Sequence, residues 1–471
     1  MSAIPDPPAT ILCDPRWFSL DRAVSIGAPA YADAARSHPI RELPTGNGRR
    51  SEYAGPTVAW RRTFSDAGDL PMTEVPGGVA IVGAYEHPTR YAPDKSEWQI
   101  NAESAKGALE DAGLTPAHVD AFFTSSTASE GGYLGGCAAV MAADYLGIKP
   151  NFIDETDVGG ASFGYYVNRA VLAIQSGMAK CALITYGANT RSRNIKVGTI
   201  GYNQLSVQEV LPTPDSFEQI YGTTVVSFMG MVAQRYMHDY GLTSEQLASV
   251  AVTMREHAAL NPQALYRDPL TVDDVLNSPV IASPLHRNDC CVISDGGAAL
   301  VIVHPDLIPE TKKKPVRILG FGESYMGHGG GLTDWAAESR EMVKRACDQA
   351  YRMSGLTPQD VDTAMIYDAF TLNVPIDLEG AGFCGIGEGG AFVADGNLRL
   401  DGGSLPTNPD GGGLSSNHPG RRGIFLFVEA VRQLREEATG RQVPGARTAL
   451  CTATGAAFLA RRGSAAHLLG V

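Results

Sequence analysis

GLTPAHVD, residues 113–120, returns as GLTPQDVD at residues 355–362, and six of the eight positions are identical. The second copy stands 242 residues after the first, and chance is a poor explanation for it. The repetition extends outward in both directions. Upstream of the first copy, VAIVGAY (79–85) reads as a buried strand and INAESAKGALEDAGL (100–114) as a helix that stops near Gly113. Upstream of the second stand VRILGFGES (316–324) and the helical ESREMVKRACDQAYRMS (338–354). Downstream, GGASFGYYVNRAVLAIQSG (159–177) and CALITYGA (181–188) are matched by NHPGRRGIFLFVEAVRQLR (417–435) and TALCTATGAA (448–457). Each set is a Gly-rich turn, an apolar helix and a strand of small residues. A two-fold repeat this long implies two similar α/β halves, 77–312 and 313–471, packed face to face.

Two segments fall outside that alternation. Residues 1–76 hold ten of the 29 prolines, show no sustained period, and read as an N-terminal extension outside the core. Residues 188–288 are mostly helical and rich in Tyr and Met. They predict a helical cap, with a second role as a wall of an apolar pocket.

The repeat carries a functional expectation. If the halves are related by a pseudo-two-fold axis, the helices starting near Gly160 and Gly420 are equivalent and their N-termini converge. Each tip brings unpaired N–H groups and about half a positive charge, which suits the oxyanion or enolate of a thioester.

Composition narrows the alternatives. With 44% apolar and 19% charged residues among 471, the chain can bury a sizeable core, and a net charge of -13 disfavours nucleic acid and anionic membranes. No run of about 18 apolar residues predicts a membrane span, and no secretory signal opens the chain, so a cytoplasmic home is expected. The eight cysteines (13, 137, 181, 290, 291, 347, 384 and 451) have no CxxC or Cys/His spacing that suits zinc, so no metal and no bound cofactor are expected. The glycines of GFCGIGEGG (382–390) do not join a strand to a helix in a βαβ unit, so they read as a flexible pocket rim rather than a dinucleotide loop.

An ordered series of stretches resembles the thiolase superfamily, in particular its sterol-carrier and lipid-transfer-protein types. The series runs GLTPAHVD, YGLTSEQLASVAV, DCCVISDGGAALVI, YDAFTLNVPIDLEGAGFCGIGEGGAFV, GGGLSSNHPG, VEAVRQLR and GRQVPGA, and it covers roughly residues 77–471. The resemblance implies a thiolase fold of duplicated five-layer α/β/α/β/α architecture with a helical cap insertion, a coenzyme A thioester as substrate, and a homodimer.

Thiolases of this kind use a cysteine at the start of the first-half helix. Here that position falls in DVGGASF at Gly159 or Gly160, so the acyl-accepting thiol is missing. Ser162 is the nearest hydroxyl, and a serine without a base is a poor nucleophile. The second sulfur position falls at Thr452 or Ala453, one or two residues from Cys451, which therefore reads as a core cysteine; so do Cys290 and Cys291.

What survives is Tyr367 in YDAF and His418 in SSNHPG, the resemblance making them the catalytic pair. Gly160, Asp368 and Gly455 are the implied substrate-binding positions, with Asp368 fixing its loop as an alternative role. Arg421 and Arg422 read as solvated surface charges, with a coenzyme phosphate as the other possibility.

Loss of both sulfurs on an intact scaffold resembles the steroid side-chain aldolases. They cleave a β-hydroxyacyl-CoA by retro-aldol reaction and work with a small partner made of an OB-fold and a zinc ribbon. That family has a second tyrosine where this chain has His418. Three functions stay open: a lyase of this type, a thiolase-type acyltransferase using Cys451 or Ser162, and an inert acyl-CoA-binding subunit.

Overall fold

The two copies of the repeated phrase fold into the same small unit. Helix α1 (Glu97–Ala112) ends on Gly113 at φ 79°, and α7 (Trp335–Ser354) is followed by Gly355 at φ 73°, left-handed positions that suit glycine. A single 3-10 turn follows in each, Pro116–His118 and Pro358–Asp360, leading into β2 (Ala121–Thr124) and β9 (Thr363–Ile366). The final aspartate has one task in both copies. Asp120 accepts from the amides of Lys180 and Cys181, each at 2.8 Å, at the head of β4 (Cys181–Ala188). Asp362 accepts from Arg447 and Thr448, at 2.8 and 2.9 Å, at the head of β10 (Thr448–Phe458). The phrase therefore recurs because each copy must stop a helix, turn, and tie two parallel strands together.

The computed structural model describes residues 78–125, 138–193, 224–327, 335–458 and 461–471. The N-terminal extension 1–76, Cys13 and Cys137 lie outside the described residues. The remaining elements of the first half are β1 (Ala80–Glu86), α2 (Ala138–Leu146), β3 (Phe152–Asp154), α3 (Ser162–Gln175) and β7 (Gly296–Val303). The second half adds β8 (Val316–Gly327), α8 (Asn373–Gly380), α9 (Gly389–Ala394), α10 (Gly423–Leu434) and β11 (Arg461–Gly470). Hydrogen bonding runs β3-β2-β4-β7-β1-β8-β11-β10-β9. Read from the β1–β8 junction, β1-β7-β4-β2 and β8-β11-β10-β9 are the same order twice.

Side-chain alternation sets the layers, because successive strand residues face opposite ways. On β4 and β7, Ala182, Ile184, Tyr186, Ala298, Leu300 and Ile302 join a cluster with α3 and α10, while Cys181, Leu183, Ala299, Val301 and Val303 pack beneath α1 and α2. On the second half, Met365, Ala449, Cys451 and Leu469 share the cluster of α3 and α10, whereas Ala364, Ile366, Leu450 and Leu468 pack under α7 and α8. The result is α/β/α/β/α, and the strands are apolar on both faces because helices cover each side of a mixed sheet. Helix α10 is buried at every position except Arg432, so it has no wet side. Truncating a residue such as Leu426, 1% exposed, to Ala costs about 2–5 kcal/mol.

The insertion 188–288 supplies α4 (Val225–Tyr240), α5 (Ser244–Ala259), α6 (Val272–Leu276) and a hairpin of β5 (Val280–Ala282) with β6 (Leu285–His286) among the described residues. Its Tyr- and Met-rich character is packing. Phe228, Met229 and Tyr236 are buried with Trp335 and Ile376 of α7 and α8, so α4 rests on second-half helices. The loop 382–390, expected to be a flexible rim, is pinned instead: Glu379 accepts from the amides of Gly387 and Gly389 at 3.0 and 3.1 Å and pairs with Arg340.

Candidate active site

The two central helices begin side by side, and their approach depends on missing side chains. A Cβ on Gly423, first residue of α10, would lie 2.1 Å from the Gly160 carbonyl oxygen. One on Gly455 of β10 would lie 2.0 Å from the Val158 carbonyl and 2.4 Å from the Gly160 amide. Ahead of α3, residues Gly159–Ala161 form a 3-10 turn. Neither helix has a side chain capping its N-terminus.

Into this junction β9 delivers Tyr367. A Cβ on Gly160 would stand 2.3 Å from Tyr367 Cζ and 2.5 Å from its hydroxyl, so the ring fills the space where a side chain at 160 would project. The amide of Arg422, at the N-cap of α10, donates to the Tyr367 hydroxyl at 3.3 Å. His418 completes the pair: its Nε2 is 3.0 Å from the same hydroxyl, with the two rings at 76°. The backbone amide of His418 is held by Ser294 Oγ at 3.0 Å, and its Nδ1 is buried without a hydrogen-bond partner. The structure thus brings together Tyr367, His418 and Gly160, with Gly455 behind them, and the helix tips meet at one phenol.

Electrostatics fix the resting protonation. Burial, aided by the positive charge of Arg422, pushes His418 down to about 4, so the imidazole is neutral at pH 7. Burial raises Tyr367, against a smaller lowering by the Arg422 amide, so it rests as a phenol. Since the amide donates to the phenol oxygen, the phenol proton is free to point at His418 Nε2, which leaves the ring proton on Nδ1.

The nucleophile candidates are occupied elsewhere. Ser162 Oγ accepts from the Val158 amide and donates to the Gly159 carbonyl, both at 2.9 Å, so it stitches the α3 turn. Cys451 faces the central layer, with Sγ 3.7 Å from the Leu426 carbonyl, and burial raises its thiol. Cys290 and Cys291 are half-buried free thiols; burial pushes Cys290 up to about 12 and raises Cys291 as well. All therefore rest as thiols, the less reactive form.

Asp368 is fully buried and turned into the protein. It accepts from the amides of Gly413 and Leu414 at 2.7 and 3.3 Å, and burial raises its carboxyl to about 7 against the pull of Arg422. Its contacts are those of a loop anchor.

The expectation for Arg422 is corrected outright. Its side chain is 0% exposed, 2.6 Å from Asp410 and 3.6 Å from Asp368, and it donates to Asn417 Oδ1 and carbonyl at 2.7 and 3.1 Å. A buried guanidinium needs such compensation to persist. Arg421, expected in solvent, is mostly covered; it pairs with Asp157 at 2.8 Å and bonds Ser125, linking the two tip loops. Behind Asn417 lies a further buried group missed in the sequence. Glu86 accepts from Asn417, Arg90 and Arg432 at 2.7, 2.5 and 2.6 Å; burial works to raise its carboxyl, but the two arginines hold it at about 2. One signal was available. The doublet Arg421–Arg422 runs directly into GIFLFVEAVRQL, a helix with almost no polar face, so its start could not be wet. Among the described residues, no group of three or more His, Cys, Asp or Glu could hold a metal ion, and no helix is long and apolar enough to cross a membrane.

Comparison with known proteins identifies the family. The thiolase N-terminal domain matches residues 79–306, and the thiolase C-terminal domain-like family matches residues 332–465. A steroid side-chain-cleaving aldolase of Thermomonospora curvata is 35% identical over 374 residues, 77% of this chain and 92% of that protein. A 17-hydroxy-3-oxo-4-pregnene-20-carboxyl-CoA lyase of Mycobacterium tuberculosis is 34% identical over 76% of this chain and 92% of its own length. An acetyl-CoA acetyltransferase of Methanothermobacter thermautotrophicus is 32% identical over 78% of this chain and 94% of its own. Among solved structures, the Ltp2-ChsH2(DUF35) aldolase superposes with a TM-score of 0.70 at 31% identity, covering 84% of this chain and 98% of that one. The chain, with its duplicated halves and its paired helix tips, belongs to the thiolase family.

Proposed function

We propose that the protein is a lyase that cleaves a carbon–carbon bond of a β-hydroxyacyl-CoA by retro-aldol reaction, with Tyr367 and His418 as the acid/base pair. The single observation that carries this reading is the 3.0 Å contact between the Tyr367 hydroxyl and His418 Nε2 at the meeting point of two uncapped helix tips. The β-hydroxyl proton passes to the pair, Tyr367 relaying to the neutral imidazole. The Cα–Cβ bond then breaks: the hydroxyl carbon becomes a ketone, and its electron pair stays on the thioester as an enolate. Amide donors at the tips are suited to hold that enolate, each typically worth roughly 3 kcal/mol. Return of the proton from His418 to Cα releases the shortened acyl-CoA and resets the pair. A neutral resting imidazole favours the role of base over that of a cationic enolate partner.

Acyl transfer through a covalent intermediate finds less support, although an acetyltransferase is among the relatives. Tyr367 occupies the room beside Gly160, and Ser162 and Cys451 are bonded into the scaffold. Steroid or another bulky side-chain thioester is the substrate class that the two aldolase and lyase relatives suggest.

The same reading includes partners and place. The relative named as an Ltp2-ChsH2(DUF35) aldolase supports a small OB-fold and zinc-ribbon partner. A homodimer is supported by the short edge strand β3, where Ile153 is 39% exposed, and by the exposed Val140 and Tyr145 of α2, at 61% and 55%. The six described cysteines are all free, which suits the reducing cytoplasm.

The test is direct. Protein and partner are incubated with a β-hydroxy, β-branched acyl-CoA, and ketone and shortened acyl-CoA are quantified. The expected result is stoichiometric cleavage that falls by at least about 10²-fold in a Tyr367→Phe, His418→Ala double variant; normal turnover in that variant ends the assignment.

A further inference from the structure

Tyr367 and His418 reach each other from separate parts of the second half, one on the end of β9 and the other on the loop leading to α10. The loop begins with a wide helical turn, Gly412–Ser416, and then runs extended at Asn417, with φ -157° and ψ 147°. Such a segment holds no register of its own. Several groups hold it, Ser294 at the His418 amide, Glu86 at the Asn417 side chain and Arg90 at the Ser416 carbonyl, and among them Arg422 reaches both members of the pair. Arg422 grips Asn417, the neighbour of His418, at two oxygens, and is itself fastened to Asp410 and Asp368. The backbone amide of the same residue touches the Tyr367 hydroxyl.

We propose that Arg422 is a positioning residue of this site, bearing on Tyr367 through its amide and on His418 through the grip of its guanidinium on Asn417, so that one residue acts on both members of the reacting pair. The inference rests on the retro-aldol reading. Lysine would keep the charge and lose the planar fork that spans Asn417 and Asp410. A misplacement of about 1 Å typically costs on the order of 10²-fold in rate.

The charge has a consequence of its own. The imidazole meets Tyr367 from β9 and Arg422 from its own loop, with Ser294 behind its backbone. Arg422 is itself paired with the carboxyl groups of Asp410 and Asp368. Cys291 bears on Tyr367 and Asp368 from the segment before β7, and Glu86 with Arg90 bears on Asn417. Removing the guanidinium takes away the cation that disfavours a charged imidazole, which raises the proton affinity of His418.

The experiment compares the full chain, with its partner, against Arg422→Lys and Arg422→Gln. Two readouts are used: the pH profile of kcat on the β-hydroxyacyl-CoA, and the ring titration of His418 by NMR without substrate. For Arg422→Gln the expected result is an acid limb and a ring titration about one unit or more higher, with kcat down about 10²-fold and KM nearly unchanged. For Arg422→Lys, kcat falls while limb and ring titration stay where they are. An unshifted limb and ring titration in Arg422→Gln, or parental kcat in Arg422→Lys, overturns the proposal. If Arg422→Gln does not fold, the kcat of Arg422→Lys decides alone. If the parent protein cleaves nothing, the reaction reading falls, and the NMR shift still judges Arg422.

Discussion

The tip of α3 and the tip of α10 occupy equivalent places in the two halves and are built in opposite ways. The α3 tip is bare backbone: Gly159 at φ 53°, Gly160 with no room for a Cβ, and a serine folded back onto its own turn. The α10 tip is loaded, with His418 in front, Arg422 buried beneath, and Asn417, Asp410 and Glu86 behind. Duplication supplied two helix ends without side-chain caps. Only one still carries side-chain chemistry, and the phenol of Tyr367 fills the gap left at the other.

Restoring a thiol to the bare tip is the harshest way to break that contrast. Gly160→Cys forces its Cβ to within 2.3 Å of the Tyr367 ring, so the ring must move. Cleavage assays should show complete loss and mass spectrometry no acyl-enzyme, while melting should report about 1–3 kcal/mol of lost stability from overpacking. Stripping the loaded tip comes next. His418→Ala should lower kcat by roughly 10²–10⁴-fold, the usual worth of a positioned acid/base, with the fold intact by circular dichroism.

A pH profile sharpens the comparison further. Because His418 sits near 4 in the folded protein, below its ordinary value, the neutral ring persists down to that pH, and the acid limb of kcat should fall near 4 rather than 6.5. The sign for stability follows from linkage. The unfolded chain takes up this proton near the ordinary value, so the contribution is fully present above about 6.5 and is lost as pH falls toward 4. Smallest of all, Ser162→Ala and Cys451→Ala should leave kcat within about twofold, since both groups only pack or bond to backbone.

Much of this was legible in the sequence, and the reasons are physical. GLTPxxVD announced itself because stopping a helix on a left-handed glycine and tying two strands with an aspartate need the same residues twice. The resemblance of YDAF and SSNHPG to thiolase motifs, with the register of His418 on the duplicated helix start, pointed to Tyr367 and His418 as a pair, and the structure places them 3.0 Å apart. Arg422 was misread because its acceptors come from separate stretches, Asp368 lying 54 residues upstream and Asp410 12. Compensation of a buried charge by distant residues leaves no period to detect. Glu86 and Arg432 stayed hidden for the same reason. The loop 382–390 looked loose from its glycines, whereas the buried Glu379 that ties it down belongs to the preceding helix.

Retro-aldol cleavage needs no attachment of the acyl group to the protein. Rapid-quench intact-mass spectrometry during turnover of a β-hydroxyacyl-CoA tests this most directly. Ketone and shortened acyl-CoA should appear from the first turnover while the protein mass stays unchanged. An acyl adduct that forms and decays at the rate of product release would contradict it.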